Sequence, residues 1–389
     1  MTMAIYLDGH ASTPLAPEAL HTMQVLWNSQ VNSGSPHAAG AMAAAAVANA
    51  RASIARLIGA NSAEIIFTSG ATEANNLAIL GAAREVTKRT SRRRRLVVSS
   101  IEHKAVLAPA QVLEEDGFDV VLCPVTVDGR VDLDALERLV THDTLLVSIM
   151  AANNEIGVIQ PVAEAVKIAH RAGALVHCDA AQAAGKIPID VFVLDVDYLS
   201  ISAHKMYGPQ GVGALFISAG APVPTPIVHG GGQEGGIRAG TLPVALIGGF
   251  GAAAERAIVS MCADAAYGRA LAGLFLQQLD ERQVHYSHLC EAAERLPGSL
   301  ALRLHGVEAD SLVQMLSGSV SLTTGSACNS GQIGPSHVLT SIGQSSDAAA
   351  ECIRLYFSPY NSDEDAVNAA THIAAACSKL RLATGEVHQ

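Results

Sequence analysis

Ser202-Ala203-His204-Lys205-Met206-Tyr207-Gly208-Pro209-Gln210-Gly211 places one lysine just after a strand-like run, Asp197 to Ser202, and just before a stiff Gly-Pro turn. An amine held in place and partly desolvated is a nucleophile, so Lys205 could form a Schiff base with an aldehyde cofactor while Ser202 and His204 reach a phosphate. A surface lysine beside a turn is the other reading of the same letters. Ser69-Gly70-Ala71-Thr72-Glu73 sits between a strand and a helix. Its free N–H groups and the positive end of the helix dipole suit an anion, with Thr72 adding a hydroxyl. Equally, Ser69 or Thr72 is simply the helix cap.

His177-Cys178-Asp179-Ala180-Ala181-Gln182 follows another strand. A poorly solvated Asp179 needs a cationic partner, and a pyridinium nitrogen would serve, making the ring an electron sink. Gln182 could donate to a ring oxygen; alternatively Asp179 caps the next turn. In Glu102-His103-Lys104 the imidazole of His103 could lie on an aromatic ring and carry protons, or it is a satisfied loop histidine. Asn154, in Asn153-Asn154-Glu155, could bond a cofactor oxygen or a carboxylate, or its own backbone. Cys328 stands among Gly, Ser, Thr and Asn, from Thr323 to Gly331, a loop texture that suits a nucleophile better than core filling. Arg354 in an apolar strand needs a bidentate anion, which an amino-acid carboxylate or an internal salt bridge would supply.

These residues need a frame. From about Glu64 to Ile217 apolar strand-like runs alternate with helical stretches. The runs are Glu64 to Thr68, Leu96 to Ser99, Val120 to Val125, Leu145 to Met150, Ala174 to His177 and Asp197 to Ser202. Helical stretches lie between them at Thr72 to Glu85, Lys104 to Glu115, Leu133 to Val140 and Val162 to Ala172. That rhythm predicts a parallel sheet covered on both faces, with ligands beyond the carboxyl ends of its strands. After the Pro- and Gly-rich texture of Pro222 to Gly240, a long helix from Pro243 to about Asp280 leads into a smaller α+β part. The expected division is a large domain at 14–255 and a small one formed by 1–13 with 256–389.

At 389 residues, 49% hydrophobic and 16% charged, the chain suits two buried cores rather than disorder. A formal charge of −11 argues against direct nucleic-acid binding. The basic run Arg92 to Arg95 reads as a solvated helix end or a docking patch for an acidic partner. No apolar run suggests a membrane span, and no secretory signal opens the chain. Seven scattered cysteines without a C-x-x-C pair suit a reducing cytoplasm and no structural metal.

The joint order of motifs is more specific than any one of them. It runs S-G-A-T-E, E-H-K, N-N-E-x-G, D-A-x-Q, S-x-H-K-x-x-G-P-x-G, G-G-G-Q-E-x-G-x-R-x-G-T, G-S-A-C and then Arg354. That series resembles the cysteine desulfurases of the NifS/IscS type, class V members of the fold type I enzymes that use pyridoxal 5'-phosphate, from Tyr6 to Arg354. The resemblance implies an aspartate aminotransferase-like α/β fold with a mostly parallel, seven-stranded sheet. It makes Lys205 the Schiff-base lysine and His103 the ring-stacking acid/base. Asp179 would hold the pyridine nitrogen, Gln182 the phenolic oxygen, and Asn154 would lie beside cofactor and substrate. Ala71, Thr72, Ser202 and His204 would bind the phosphate, joined by Thr241 of a neighbouring subunit, which implies a homodimer. Arg354 and Asn32 would hold the carboxylate of L-cysteine. Cys328 would take the substrate sulfur as a persulfide, leaving L-alanine, and pass it to an acceptor protein, an iron–sulfur scaffold or a sulfur carrier.

Some positions depart from the family pattern. Ser33 replaces the proline of a common Asn-Pro pair, and Ser358-Pro359 stands where the R-x-x-x-G-R pattern has a second arginine. The stretch beyond Leu382 is short, so the tail that docks the iron–sulfur scaffold is expected to be missing. Two rivals remain: a cystine or selenocysteine lyase or aminotransferase of the same fold, and a non-catalytic partner in a sulfur-transfer assembly.

Overall fold

A computed structural model describes residues 4–29, 32–88, 93–324 and 335–384. Strands Ile65–Thr68, Gly213–Ile217, Tyr198–Ser202, Leu175–Asp179, Thr144–Ser148, Arg95–Ser99 and Asp119–Cys123 lie side by side in that order. Gly213–Ile217 runs against both of its neighbours, and the other pairs are parallel. The sequence rhythm did not separate that strand, because a run entered through a tight turn carries no helix to announce it. The edge strand Ile65–Thr68 and three interior strands are buried at every position, which only apolar and small residues on both faces allow. Asp119–Cys123 is the opposite edge and leaves Asp119 and Leu122 exposed. It stops at Cys123 because Pro124 has no N–H for the ladder.

Helices Ala71–Lys88 and Lys104–Glu115 cover one face, their apolar stripes forming a core with Leu96, Val98 and Leu215. The other face packs against the alanine-rich helix Ala38–Leu57 and helix Val244–Glu281. Alanine and glycine let these two approach: a Cβ on Gly251 would lie 2.6 Å from Ala50 Cα. Val244–Glu281 is apolar enough in part to match a membrane span by composition, yet 56% of that stretch is buried within the protein. It spans 38 residues, about 57 Å at the helical rise. Its first half joins the large core through Phe250 and Ala254; its second half joins another core through Leu271 and Phe275.

That second core lies under an antiparallel sheet ordered Thr323–Thr324, Cys352–Tyr356, Ser299–Leu304, Tyr286–His288. Helices Ala309–Leu316 and Asp363–Thr384 pack against it. The chain's first strand, Ile5–Tyr6, pairs with Val320–Ser321, and Tyr356 N–H donates to Leu7 O. Residues 8–13 thereby run from the small sheet to the mouth of the large one, where Thr13 N–H donates to His204 O.

Candidate active site

The loops after five strands meet at one end of the large sheet, around a cavity of about 440 Å³. Its floor is the start of helix Ala71–Lys88. Gly213 lies so close beneath it that a Cβ there would sit 2.7 Å from Gly70 Cα. The cap is supplied by Glu73, whose carboxylate takes Ser69 N–H at 2.7 Å and holds Arg238 at 2.8 Å. Burial pushes the Glu73 carboxyl up, but Arg238 and Ser69 outweigh it and hold it below its ordinary value. Neither the Ser69 nor the Thr72 hydroxyl is the cap, and Ala71, Thr72, Ser202 and His204 all line the floor. This is an anion cradle of helix N–H groups with hydroxyls around it. Burial, then the charges of Lys205 and Lys186, press His204 down to about 4, so near neutral pH it is an uncharged imidazole.

Asp179 ends its strand at the opposite wall, buried. Asn75 Nδ2 donates to it at 2.7 Å and Ala181 N–H at 2.9 Å, both neutral donors. Among the described residues no Lys, Arg or His bonds this carboxylate. His103 sits beside it as the N-cap of helix Lys104–Glu115, its Nδ1 accepting Ala105 N–H at 3.0 Å. A neutral His103 therefore carries its proton on Nε2. Burial lowers its pKa first, partly countered by Asp179.

Lys205 reaches the same cavity, its Nζ donating to the carbonyls of His10 and Ala11. Gln182 and Asn154 complete the lining, and Gln182 Nε2 donates to His10 O at 2.8 Å.

An amine nucleophile, a buried carboxylate, a histidine and an anion cradle around one hollow make a site for an anionic aromatic aldehyde. Residues 5–368 match the family model of class-V aminotransferases. The chain belongs to the class-V aminotransferase family. It is 39% identical to the cysteine desulfurase IscS of Rickettsia rickettsii (strain Iowa) over 98% of this chain and 93% of that relative. A solved NifS-like protein superposes with a TM-score of 0.90 at 35% identity, covering 97% of this chain and 100% of that one. SspA, solved in complex with cysteine, gives 0.78 at 34% identity over 92% of this chain and 99% of that one. The family depends on pyridoxal 5'-phosphate.

The residues of this class-V enzyme fit that cofactor. Among the described residues the Asp179 carboxylate is buried without a cationic bond, the Oδ1 of Asn75 beside it has no partner, and Gly213 lets the helix start sit close against the sheet. Nine expected residues share the cavity: Ala71, Thr72, His103, Asn154, Asp179, Gln182, Ser202, His204 and Lys205. Four do not. Thr241 is exposed and outside the lining. Asn32 is exposed too, its side chain accepting Gly34 N–H. Cys328 falls outside the described residues. Arg354 is buried and bonds Asn154 O at 2.9 Å, but its other Nη already holds Asp8 at 2.8 Å and Thr323 at 2.9 Å. Its internal salt bridge is thus present, while its buried Nε has no partner among the described residues.

Sequence reasoning missed Asn75, His10 and Lys186. Asn75 falls one helical turn past Ala71, and Lys186 four residues past Gln182; that spacing was the available signal. His10 carried none, since its contacts come from residues 172 and 289 positions away. Five of the other cysteines are disfavoured as nucleophiles by their surroundings, while Cys262 is exposed. Burial pushes Cys123 and Cys352 up to about 12, Cys290 and Cys377 to about 11, and Cys178 well up.

Proposed function

We propose that this chain is a pyridoxal 5'-phosphate-dependent cysteine desulfurase in which Lys205 carries the cofactor and Cys328 receives the substrate's sulfur. One observation bears the reading: the Lys205 amine and the Asp179 carboxylate open on the same cavity, above a helix N-terminus. Ala71 and Thr72 N–H groups with Ser202 and His204 would hold the phosphate, Asp179 the ring nitrogen, and Gln182 the ring oxygen. When bound, the cofactor delocalises the electron pair left at the substrate Cα. Lys205, freed as an amine, takes the Cα proton at Nζ.

His103 presents Nε2–H to the cavity and can accept a substrate proton at Nε2 only after its neutral tautomer changes. That requires giving up Ala105 N–H, so proton movement at His103 is tied to the start of helix Lys104–Glu115. Arg354 would take the substrate carboxylate with the guanidinium that now holds Asp8 and Thr323, and Asn32 would add to it from another loop. The SspA structure with cysteine supports an amino acid of that size. Thr241 would complete the phosphate site of a second copy, making a homodimer the working unit. The acceptor would be an iron–sulfur scaffold or a sulfur carrier. Six described cysteines without a disulfide suit a reducing compartment, and we place the enzyme in the cytoplasm.

The test is mass spectrometry of the protein after incubation with L-cysteine, with alanine and sulfide measured alongside. Added sulfur on Cys328 is expected, lost in Cys328→Ser while the cofactor's visible absorbance persists. Undiminished sulfur release by that variant would mean a lyase instead.

A further inference from the structure

Behind Gln182 lies an amine that the reaction above does not use. Lys186 is buried, its Nζ donating to Gln182 Oε1 at 3.1 Å and sitting 4.6 Å from the centre of the Tyr356 ring. The same Oε1 meets His10 Nδ1 at 3.2 Å, and His10 Nε2 meets Ser299 Oγ at 2.8 Å. Burial, with the charges of Lys186 and Arg354, keeps His10 neutral. The consistent tautomer has Nδ1–H donating to Gln182 and Nε2 accepting from Ser299. Two donors on the carbonyl and His10 O on the amide nitrogen leave Gln182 no equivalent flipped state. Its remaining N–H is the donor available to the cavity.

We propose that Lys186 and His10 are positioning residues: by donating together to Gln182 Oε1 they fix and polarise the amide so that its free N–H faces the cofactor's ring oxygen. The proposal rests on the assignment of Gln182 to that oxygen. Hydrogen bonds in a chain strengthen one another, so donors on the carbonyl make the amide a better donor in turn. A strong donor at the ring oxygen competes with the proton held there, and weakening it raises the pH at which that proton leaves. The titratable and charged groups around Lys186 are His10, Lys205, Arg354, Tyr207, Tyr356 and Asp264. Lys186 has no carboxylate bonded to it among the described residues, so it contributes little that an apolar side chain of its size would lack for stability. That absence of a structural debt makes a role in the site the better account.

The experiment is a spectrophotometric pH titration of the bound cofactor in Lys186→Met, Gln182→Ala and the double variant, with unfolding temperatures recorded beside it. Lys186→Met should move the titration midpoint up by about one unit without lowering the unfolding temperature. Gln182→Ala should move it at least as far, and the double variant no further than Gln182→Ala. A midpoint unchanged in Lys186→Met but raised in Gln182→Ala overturns the proposal. So does an additional shift in the double variant, which would mean that Lys186 acts by charge through space. An unchanged midpoint in Gln182→Ala removes instead the underlying assignment. If Lys186→Met does not fold, His10→Phe carries the test: a raised midpoint supports the proposal and an unchanged one sinks it.

Discussion

The two sides of the site are built by different means. On the sheet side, each candidate residue stands within about six positions of a strand's carboxyl end, so the ladder that fixes the strand fixes the residue. Asp179 is itself a strand's last residue, and Lys205 follows Ser202 by three. The proposed facing side would draw on Arg354 in the small sheet, Asn32 and Thr241 on exposed segments, and Cys328 beyond the described residues. Rigid tethers suit a cofactor that stays; remote ones suit a substrate that must enter and a sulfur that must leave.

The sharpest way to break this contrast is at Lys205. Lys205→Ala should lower turnover by roughly 10³-fold and remove the visible absorbance of the lysine-bound cofactor, while leaving the unfolding midpoint of the cofactor-free protein nearly unchanged. An active variant would mean that the sheet side does not hold the chemistry. The facing side is challenged at Asp8, whose pair with Arg354 is almost wholly buried, the two side chains being 15% and 3% exposed. Asp8→Ala leaves the guanidinium with Asn154 O and Thr323 and no anion. It should destabilise the protein by about 3 kcal/mol in denaturant unfolding. Added amino acid that restores part of that stability would show Arg354 taking a carboxylate.

The sheet side was also the legible one. Strands buried on both faces read as apolar runs, and the loops behind them carry chemistry in short, ordered motifs, so eight of the nine shared residues were individually arguable before any fold was known. Ala71 had only its neighbours' turn to recommend it. The strand Gly213–Ile217 was not separable, because no helix precedes it, and nothing in a buried run states that it lies antiparallel. His10 and Asn75 escaped for a related reason: one makes its contacts across the whole chain, and the other looks like an ordinary helix-surface amide. Arg354 was readable as a residue in need of an anion, but not as one already holding Asp8, since only the return of residues 5–8 to the small sheet supplies that partner.

Thr241 tests whether the second side crosses between copies. It is exposed in one chain, so Thr241→Ala should leave stability within about 0.5 kcal/mol. If its hydroxyl serves the neighbour's phosphate, cofactor affinity should fall by about tenfold. Equilibrium dialysis of the cofactor alongside sedimentation of the dimer reads both. Unchanged affinity in an intact dimer would return the phosphate site wholly to the sheet side.

The smallest effect expected is the most discriminating about pH. Ser336 caps helix His337–Ser341 through Val338 and Leu339 N–H and donates its own hydroxyl to Glu155. Burial raises the Glu155 carboxyl to about 7, and Ser336 restrains that rise. A raised carboxyl contributes stability that is complete below its unfolded value, near 4.5, and lost as pH climbs through 7. Ser336→Ala should cost about 1 kcal/mol for the cap at any pH. Above pH 7 it should cost more, because the hydroxyl that eases the buried charge is gone; at pH 5 the folded-state Glu155 is neutral with or without Ser336, so only the cap is missed. Equal losses at pH 5 and pH 8 would mean that the hydroxyl does not bear on Glu155, and that the helix beginning at His337 is fastened to the site by His337 Nε2 and Glu102 O instead.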